Sequence, residues 1–500
     1  MDTSLRSLHK NVFEWMAGPT GSVILHVALI IALLFFVNLA TKEQFTEIEV
    51  KMIDPDDQQL DDLLEDLKPP DEMPDLVETI TPPDVDMDIT PPPEIQDFTA
   101  APVMDSVAEL DIASDALSPI IMKNLAPGNM SNRSGSGRQA AIGAYGGQWG
   151  KYAEAAVLRA LEWLRINQNP DGSWGTSSPD KEGYAGLALL TFLAHGETTA
   201  SEKYGPTVEK AIRYLIQRQN AEGGFIAKPF TGAPKVYAHA IATYAISEAY
   251  GMTRIPSIKP VMEKALQVLL DGQKKYRHGG WQMYAFDGSE GYGQWDISLA
   301  AFCAQALKAG YIAGADNPGL KDGMNTAAKF FITQQKDDGS FPYSASNPGR
   351  QPNMTGAAVL SLQLLGFGTD TATRRGLQFL SDADANWARP SPAALYAWYY
   401  VTQAKFHQGG PAWQSWNNKV APALIRNQNT DGSWLSPCLA MTGNGVEREY
   451  RGEEINSKVY ATTLAALSLQ VYYRFLPTYQ PIEDKVIDQT SDDDVQIEIL

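Results

Sequence analysis

One short sentence recurs along this chain and fixes what it can fold into: an aromatic-Leu pair, three residues, a glutamine, then an Asp-Gly-Ser-Trp corner or a close variant. It reads Trp163-Leu164, Gln168 and Asp171-Gly172-Ser173-Trp174, then Tyr214-Leu215, Gln219 and Gly223-Gly224-Phe225, then Gln273 and Gly279-Gly280-Trp281. Later copies are Phe330-Phe331, Gln335 and Asp338-Gly339-Ser340-Phe341, and Gln428 with Asp431-Gly432-Ser433-Trp434; a worn copy is Phe379-Leu380, Asp384 and Trp387. Recurrence at intervals of roughly 50 residues is the mark of a helical repeat array, in which each unit buries its apolar face against its neighbours.

Each unit holds two helical patterns of different character. The first is amphipathic: over residues 151 to 168, Ala155, Leu158, Leu161 and Leu164 alternate with Lys151, Glu154, Arg159 and Glu162, as suits a helix with one wet face. The second is almost free of charge, as in 183 to 195, 236 to 250, 296 to 309, 354 to 366, 392 to 405 and 457 to 474. A helix apolar nearly all round is buried. Alternating outer and inner helices, about six of each, predict an all-α fold that closes into a single (α/α) toroid of helical hairpins. In the corners, glutamine is expected to bond orphan carbonyls at a helix end, Asp-Gly to supply turn chemistry and positive φ, and tryptophan to fill the gap beside the next unit.

The aromatic-Leu, glutamine, Gly-x-Trp run resembles the QW motif of squalene and oxidosqualene cyclases and the related repeats of protein prenyltransferase β subunits, over residues 150 to 477. The resemblance implies the toroid far more specifically than any activity. It also implies a ligand cavity at one mouth of the ring, lined by residues near the starts of the inner helices. Tyr184, Tyr237, His239, Trp295 and Asp296 are the candidates in the first half, and Asn353, Thr355, Tyr396, Trp398, Lys458 and Tyr460 in the second. Such an aromatic lining with few polar groups suits a small molecule.

Asp296, with Ser298 just after it, is the candidate acid, since a carboxyl beside an apolar cavity rises in pKa and can donate a proton. The competing role is helix N-cap, with the side chain occupied by backbone amides. For His239 the alternatives are a cavity residue and a hydrogen-bonded core histidine.

The chemistry of the resembling families does not carry over. The cyclase Asp-x-Asp-Asp acid cluster has no match: Asp382-Ala383-Asp384-Ala385 lacks the adjacent pair, and Asp492-Asp493-Asp494 lies in the tail. The prenyltransferase zinc site needs an Asp two residues before the Cys, where Cys303 has Ala301. The Gly-Cys-Gly-Glu-Gln of thioester domains is missing, so neither a metal nor a cofactor is expected. The sequence therefore favours a binding module for an apolar, glycan or peptide ligand, with an isoprenoid cyclase or transferase using Asp296 as a nonstandard acid as the alternative.

Ahead of the repeats, residues 21 to 40 carry no formal charge and are long enough to span a bilayer. Arg6 and Lys10 precede this stretch and acidic residues follow it, which predicts a retained anchor with residues 1 to 20 cytoplasmic and the bulk periplasmic or extracellular. Residues 41 to 145 are acidic and rich in Pro, then Gly and Ser, and predict a disordered linker; 146 to 480 is the toroid and 481 to 500 an acidic tail. The net charge of −19 argues against a nucleic-acid partner. Ser22 and His26 stand one helical turn apart in the anchor, which resembles that of TonB-type energy transducers; this implies an ExbB/ExbD-like proton-channel partner, the alternative being a histidine that snorkels to the interface. Cys303 and Cys438 do not suggest a disulfide framework.

Overall fold

In the computed structural model, which describes residues 132–176, 181–225, 233–276, 279–282, 286, 294–349, 351–440 and 454–474, the charge-free segments form an inner layer and the amphipathic ones an outer layer. The inner helices are α3 (Lys181–His195), α5 (Ala233–Thr253), α7 (Ile297–Ala313), α9 (Pro352–Leu364), α11 (Ala394–Gln408) and α13 (Glu454–Leu469). The outer helices are α2 (Gly150–Ile166), α4 (Gly205–Arg218), α6 (Ile258–Lys275), α8 (Leu320–Gln334), α10 (Thr371–Phe379) and α12 (Gly410–Ile425). Each inner helix packs on the next, and α13 packs back on α3, so the inner layer is a closed ring; each outer helix covers the seam between two inner ones, with α2 lying over the join of α13 and α3. Close approach in this layer uses small residues: a Cβ on Gly186 would stand 3.1 Å from the Ala242 nitrogen, and one on Gly356 would stand 3.1 Å from the Val401 nitrogen.

The corners are the joints of the ring. In all five intact copies the glutamine side-chain amide donates twice, once into its own turn and once to the next outer helix. Gln168 donates to Gly172 O (3.1 Å) and Thr207 O (2.9 Å), Gln219 to Gly223 O (3.0 Å) and Val261 O (2.8 Å), and Gln335 to Gly339 O (3.0 Å) and Ala372 O (2.7 Å). Gln273 donates to Gly279 O (2.9 Å) and Gly323 O (3.0 Å), and Gln428 to Gly432 O (2.9 Å) and Ala156 O (2.8 Å). The expected partner, an orphan carbonyl of the glutamine's own helix, is instead served by the indole: Trp174 donates to Leu164 O at 2.7 Å and Trp434 to Leu424 O at 2.8 Å, each in the last turn of its outer helix. Asp171, Asp338 and Asp431 each accept from the N–H and hydroxyl of the serine two residues on, which locks the turn. Gly172 has φ +90°, and a Cβ there would stand 2.2 Å from Lys210 O in the next outer helix, so only glycine serves.

The worn corner is different. Asp384 replaces the glutamine and caps its own chain at Ala385 N, while the link to the next outer helix runs the other way, from Lys419 Nζ to Ala383 O at 3.2 Å.

Two further helices stand outside the repeat. α14 (Val471–Arg474) follows α13, and α1 (Gly135–Tyr145) precedes α2 and packs on α14. The Gly- and Ser-rich composition predicts linker through residue 145; residues 135 to 145 are helical because Ser134 caps them, accepting from Gly137 N at 3.2 Å, and because the flanking arginines have buried partners. The span at 21 to 40, the rest of the linker and the tail lie outside the described residues. Among those described, no helix is long and apolar enough to cross a membrane.

Candidate ligand mouth

The inner helices begin at one end of the ring, here the front, and end at the rear. At the front the start of α7 supplies Asp296, which is fully buried. Its Oδ1 accepts from Ser298 N (2.7 Å), Ser298 Oγ (2.5 Å) and Leu299 N (3.2 Å), so the residue is the N-cap of α7. Its Oδ2 accepts from Tyr237 Oη on α5 at 2.6 Å, and Tyr343, from the fourth corner loop, also bonds the carboxyl. Burial raises its pKa above the ordinary carboxylate value, and these hydrogen bonds offset part of the rise. Tyr237 Oη also meets Ser298 Oγ. From the far wall, Tyr396 on α11 donates to Ser298 O at 3.4 Å, and burial pushes its pKa up, with Tyr237, Asp296 and Tyr460 near enough to add to the rise. Two tyrosines, Tyr237 and Tyr343, thus bond one carboxyl, with Tyr396 one hydrogen bond away at Ser298 O.

Behind this rim the bore is filled. Phe302 packs edge-on against Tyr237, Tyr396 and Tyr400. Gln305 crosses from α7 to α11, its Nε2 donating to Tyr399 Oη at 3.3 Å and its Oε1 accepting from Tyr400 Oη at 3.1 Å. Deeper still, the guanidinium of Arg474 donates to Tyr399 Oη (3.3 Å) and Tyr244 Oη (2.9 Å). Phe302, Gln305, Tyr399, Tyr400 and Arg474 are all buried.

The remaining sequence candidates are placed elsewhere. His239 is fully buried; its Nδ1 accepts from Phe225 N at 3.3 Å and its Nε2 bonds Ala265 O at 3.2 Å, and burial pushes its pKa down to about 4. It ties the second corner to α6. Thr355 holds the fourth corner to its own inner helix, its Oγ1 accepting from Phe341 N at 3.0 Å, as Thr462 does for Trp434 N. Trp295 pairs through its backbone with Gln282 and packs edge-on against Phe330 of the outer layer. Trp398 packs on Trp387 of the worn corner, its buried indole N–H without an acceptor among the described residues. Tyr184 lies against Gly175, Asn353 Oδ1 accepts from Met354 N at 2.9 Å, and Lys458 pairs with Asp431 at 3.6 Å. The structure therefore joins Tyr237, Asp296 and Tyr396 through hydrogen bonds, sets Tyr460 near Tyr396, and places the others apart from them. Tyr343 was missed; an aromatic residue two places beyond a corner was the available signal. Ser22 and His26 lie outside the described residues, and among those described no cluster of His, Cys, Asp and Glu is arranged to hold a metal ion.

No family model matches the chain. It is 33% identical over 99 residues to drimenyl diphosphate synthase of Streptomyces showdoensis, a match covering 19% of this chain and 17% of that protein. It is 28% identical over 102 residues to the squalene–hopene cyclase of Bradyrhizobium diazoefficiens, covering 17% of this chain and 15% of that one. The matches thus span under a fifth of either curated relative: the similarity to these cyclases is distant and partial. Among solved structures, a D-mannose isomerase aligns with 65% of this chain and 96% of its own at a TM-score of 0.48 and 14% identity.

Proposed function

We propose that the toroid is a non-catalytic binding module that takes its ligand at the front mouth, on the rim of Tyr237, Tyr343 and Tyr460. One observation carries this: Asp296, the acid on which the enzymatic alternative rests, is fully buried and has both carboxyl oxygens engaged by the α7 amides, Ser298 and the tyrosines. A proton donor has to reach the atom it protonates; this one would first have to surrender its cap. The filled bore favours a shallow ligand with a flat face and a hydrogen-bonding edge, a glycan or a peptide, over a long isoprenoid chain that needs an apolar channel.

The enzymatic reading draws support from the raised pKa of Asp296, and one experiment separates the two. Purified protein is incubated with farnesyl and geranylgeranyl diphosphate and with squalene, beside Asp296→Asn. The binding reading expects no product from either protein; turnover that disappears in the variant establishes the enzyme. In parallel, titration calorimetry against oligosaccharide and peptide pools is expected to show binding that Tyr237→Phe and Tyr460→Phe weaken about tenfold, near the worth of one well-placed hydrogen bond.

We further propose that residues 21 to 40 hold this module outside the cell membrane, N-terminus inward, with Ser22 and His26 against an ExbB/ExbD-like proton channel. The uncharged stretch, the charge asymmetry and the intramembrane histidine support this reading. Co-purification of such a channel with the wild type and its loss with His26→Ala is the expected result; equal recovery removes the proposal.

A further inference from the structure

The rear of the ring is closed by a piece of chain that does not belong to any repeat. Arg133 stands immediately before α1, is 2% exposed, and points into the rear mouth. Its NH1 donates to Glu248 Oε2 at 3.0 Å, near the end of α5, and to Leu193 O at 3.1 Å, near the end of α3; its Nε and NH2 both donate to Arg474 O, at 3.2 and 2.9 Å. One guanidinium thus joins the ends of two inner helices and the final helix. Burial alone would raise the Glu248 carboxyl, but Arg133 and Arg474 together hold it below its usual range, so the pair is ionic.

The backbone is seated as tightly as the side chain. Arg133 O accepts from Arg138 NH1 at 2.9 Å, and Gly196, at φ +97°, lies under it so closely that a Cβ would stand 2.1 Å from that oxygen. Arg138 also donates to His195 O at 2.5 Å and pairs with Glu154 at 3.4 Å. Nothing in the repeat pattern asks for this segment: the ring of six hairpins closes without it, through α13 on α3 and Gln428 on Ala156.

We infer that Arg133–Tyr145 is a closure strap, a separately seated device that seals the rear mouth, with Arg133 as its bolt and Glu248, Leu193 O and Arg474 O as a guanidinium receptor. The chain ahead of the bolt is the acidic, proline-rich stretch, so any pull delivered along it reaches the ring first at Arg133. Unseating the bolt exposes the receptor and frees α14 while leaving the front mouth in place. This holds whatever the front mouth binds.

The test uses the full chain and hydrogen–deuterium exchange, comparing wild type with Arg133→Ala, Arg133→Lys and Glu248→Gln. Arg133→Ala is expected to speed exchange at least tenfold in 244–252 and 471–474 while 297–303 at the front stays as in wild type. Guanidinium chloride at millimolar concentration is expected to restore slow exchange by refilling the receptor, and sodium chloride at equal ionic strength is not; Arg133→Lys, with one point charge for a forked donor, falls between. Unchanged exchange at the rear, or an equal rise at 297–303, overturns the inference, the second by showing that the segment is part of one global unit. If Arg133→Ala does not fold, the isosteric Glu248→Gln decides by the same readings.

Discussion

Gln428 donates its side-chain amide to Ala156 O at 2.8 Å, across 272 positions of sequence, and by that bond the last intact corner is joined to the first outer helix. The same bond made by Gln168, Gln219, Gln273 and Gln335 joins consecutive units; here it joins the ends of the array. Gln428→Leu keeps the bulk and removes both donated bonds, at a cost of about 1–3 kcal/mol. Gln428 Oε1 also accepts from Arg159 Nε at 2.9 Å and NH2 at 2.5 Å, so urea unfolding is expected to give a larger loss for Gln428→Leu than for Gln219→Leu, and only the former is expected to speed amide exchange in α2 and α13 together.

Glycine is required at the first corner for two reasons, and Gly319, the N-cap of α8, separates them. At Gly172 a positive φ coincides with the Lys210 carbonyl at 2.2 Å from any added Cβ, whereas at Gly319, φ +81°, nothing lies within 4 Å. Gly319→Ala therefore bears only the left-handed strain, about 1–2 kcal/mol, and Gly172→Ala bears that plus a displaced outer helix. Thermal melts of the two variants measure the difference, and the corner argument requires Gly172→Ala to be the lower by several degrees.

His195 bonds a carboxylate through each ring nitrogen, Glu197 at 2.7 Å and Glu154 at 3.1 Å, with Arg138 and the Tyr473 hydroxyl on the same Glu154 carboxyl. Burial works against the charged ring, but the two carboxylates outweigh it and raise its pKa; burial likewise opposes the charges of Glu154 and Glu197, and the histidine prevails and lowers theirs. A raised histidine stabilises fully below its ordinary value of 6.5, and the gain is lost as pH climbs through the folded value; lowered glutamates stabilise above 4.5, and the gain is lost as pH falls through theirs. Stability is therefore expected to be greatest between those two values, and His195→Gln to flatten the alkaline limb of a urea-midpoint profile.

Asp296 makes the opposite prediction. Its raised pKa means the folded state holds the proton more firmly than the unfolded chain, so its contribution falls as pH rises from 3.8 through the folded value. Asp296→Asn keeps an acceptor for the α7 amides and removes the buried charge, and is expected within about 1 kcal/mol of wild type; Asp296→Ala loses the cap and the Tyr237 bond to the carboxyl, leaving Tyr237 only Ser298, at about 2 kcal/mol. Denaturant titrations at neutral pH give both values.

The architecture was legible because charge separates the layers: Lys151, Glu162 and Arg165 on α2 mark a wet face and α9 carries no charge, although Glu154, which the pattern sets on the wet face, turns in to His195 and Tyr473. The corners were legible because Gly, Asp and Trp are each demanded by a specific turn. Facing within the inner helices was not. A helix apolar all round has no preferred side, so nothing told His239 and Thr355, which turn outward to hold corners, from Tyr237 and Tyr396, which turn inward. Pairings such as Arg133 with Glu248 depend on where the chain ends fold back, and no local pattern encodes that.

A hoop under load parts at its poorest weld. Five welds here are paired amide bonds set from the corner outward; the sixth is one exposed lysine, Lys419, reaching back to Ala383. Exposed and single, that link is expected to make the gap between α10 and α12 the first seam of the annulus to open.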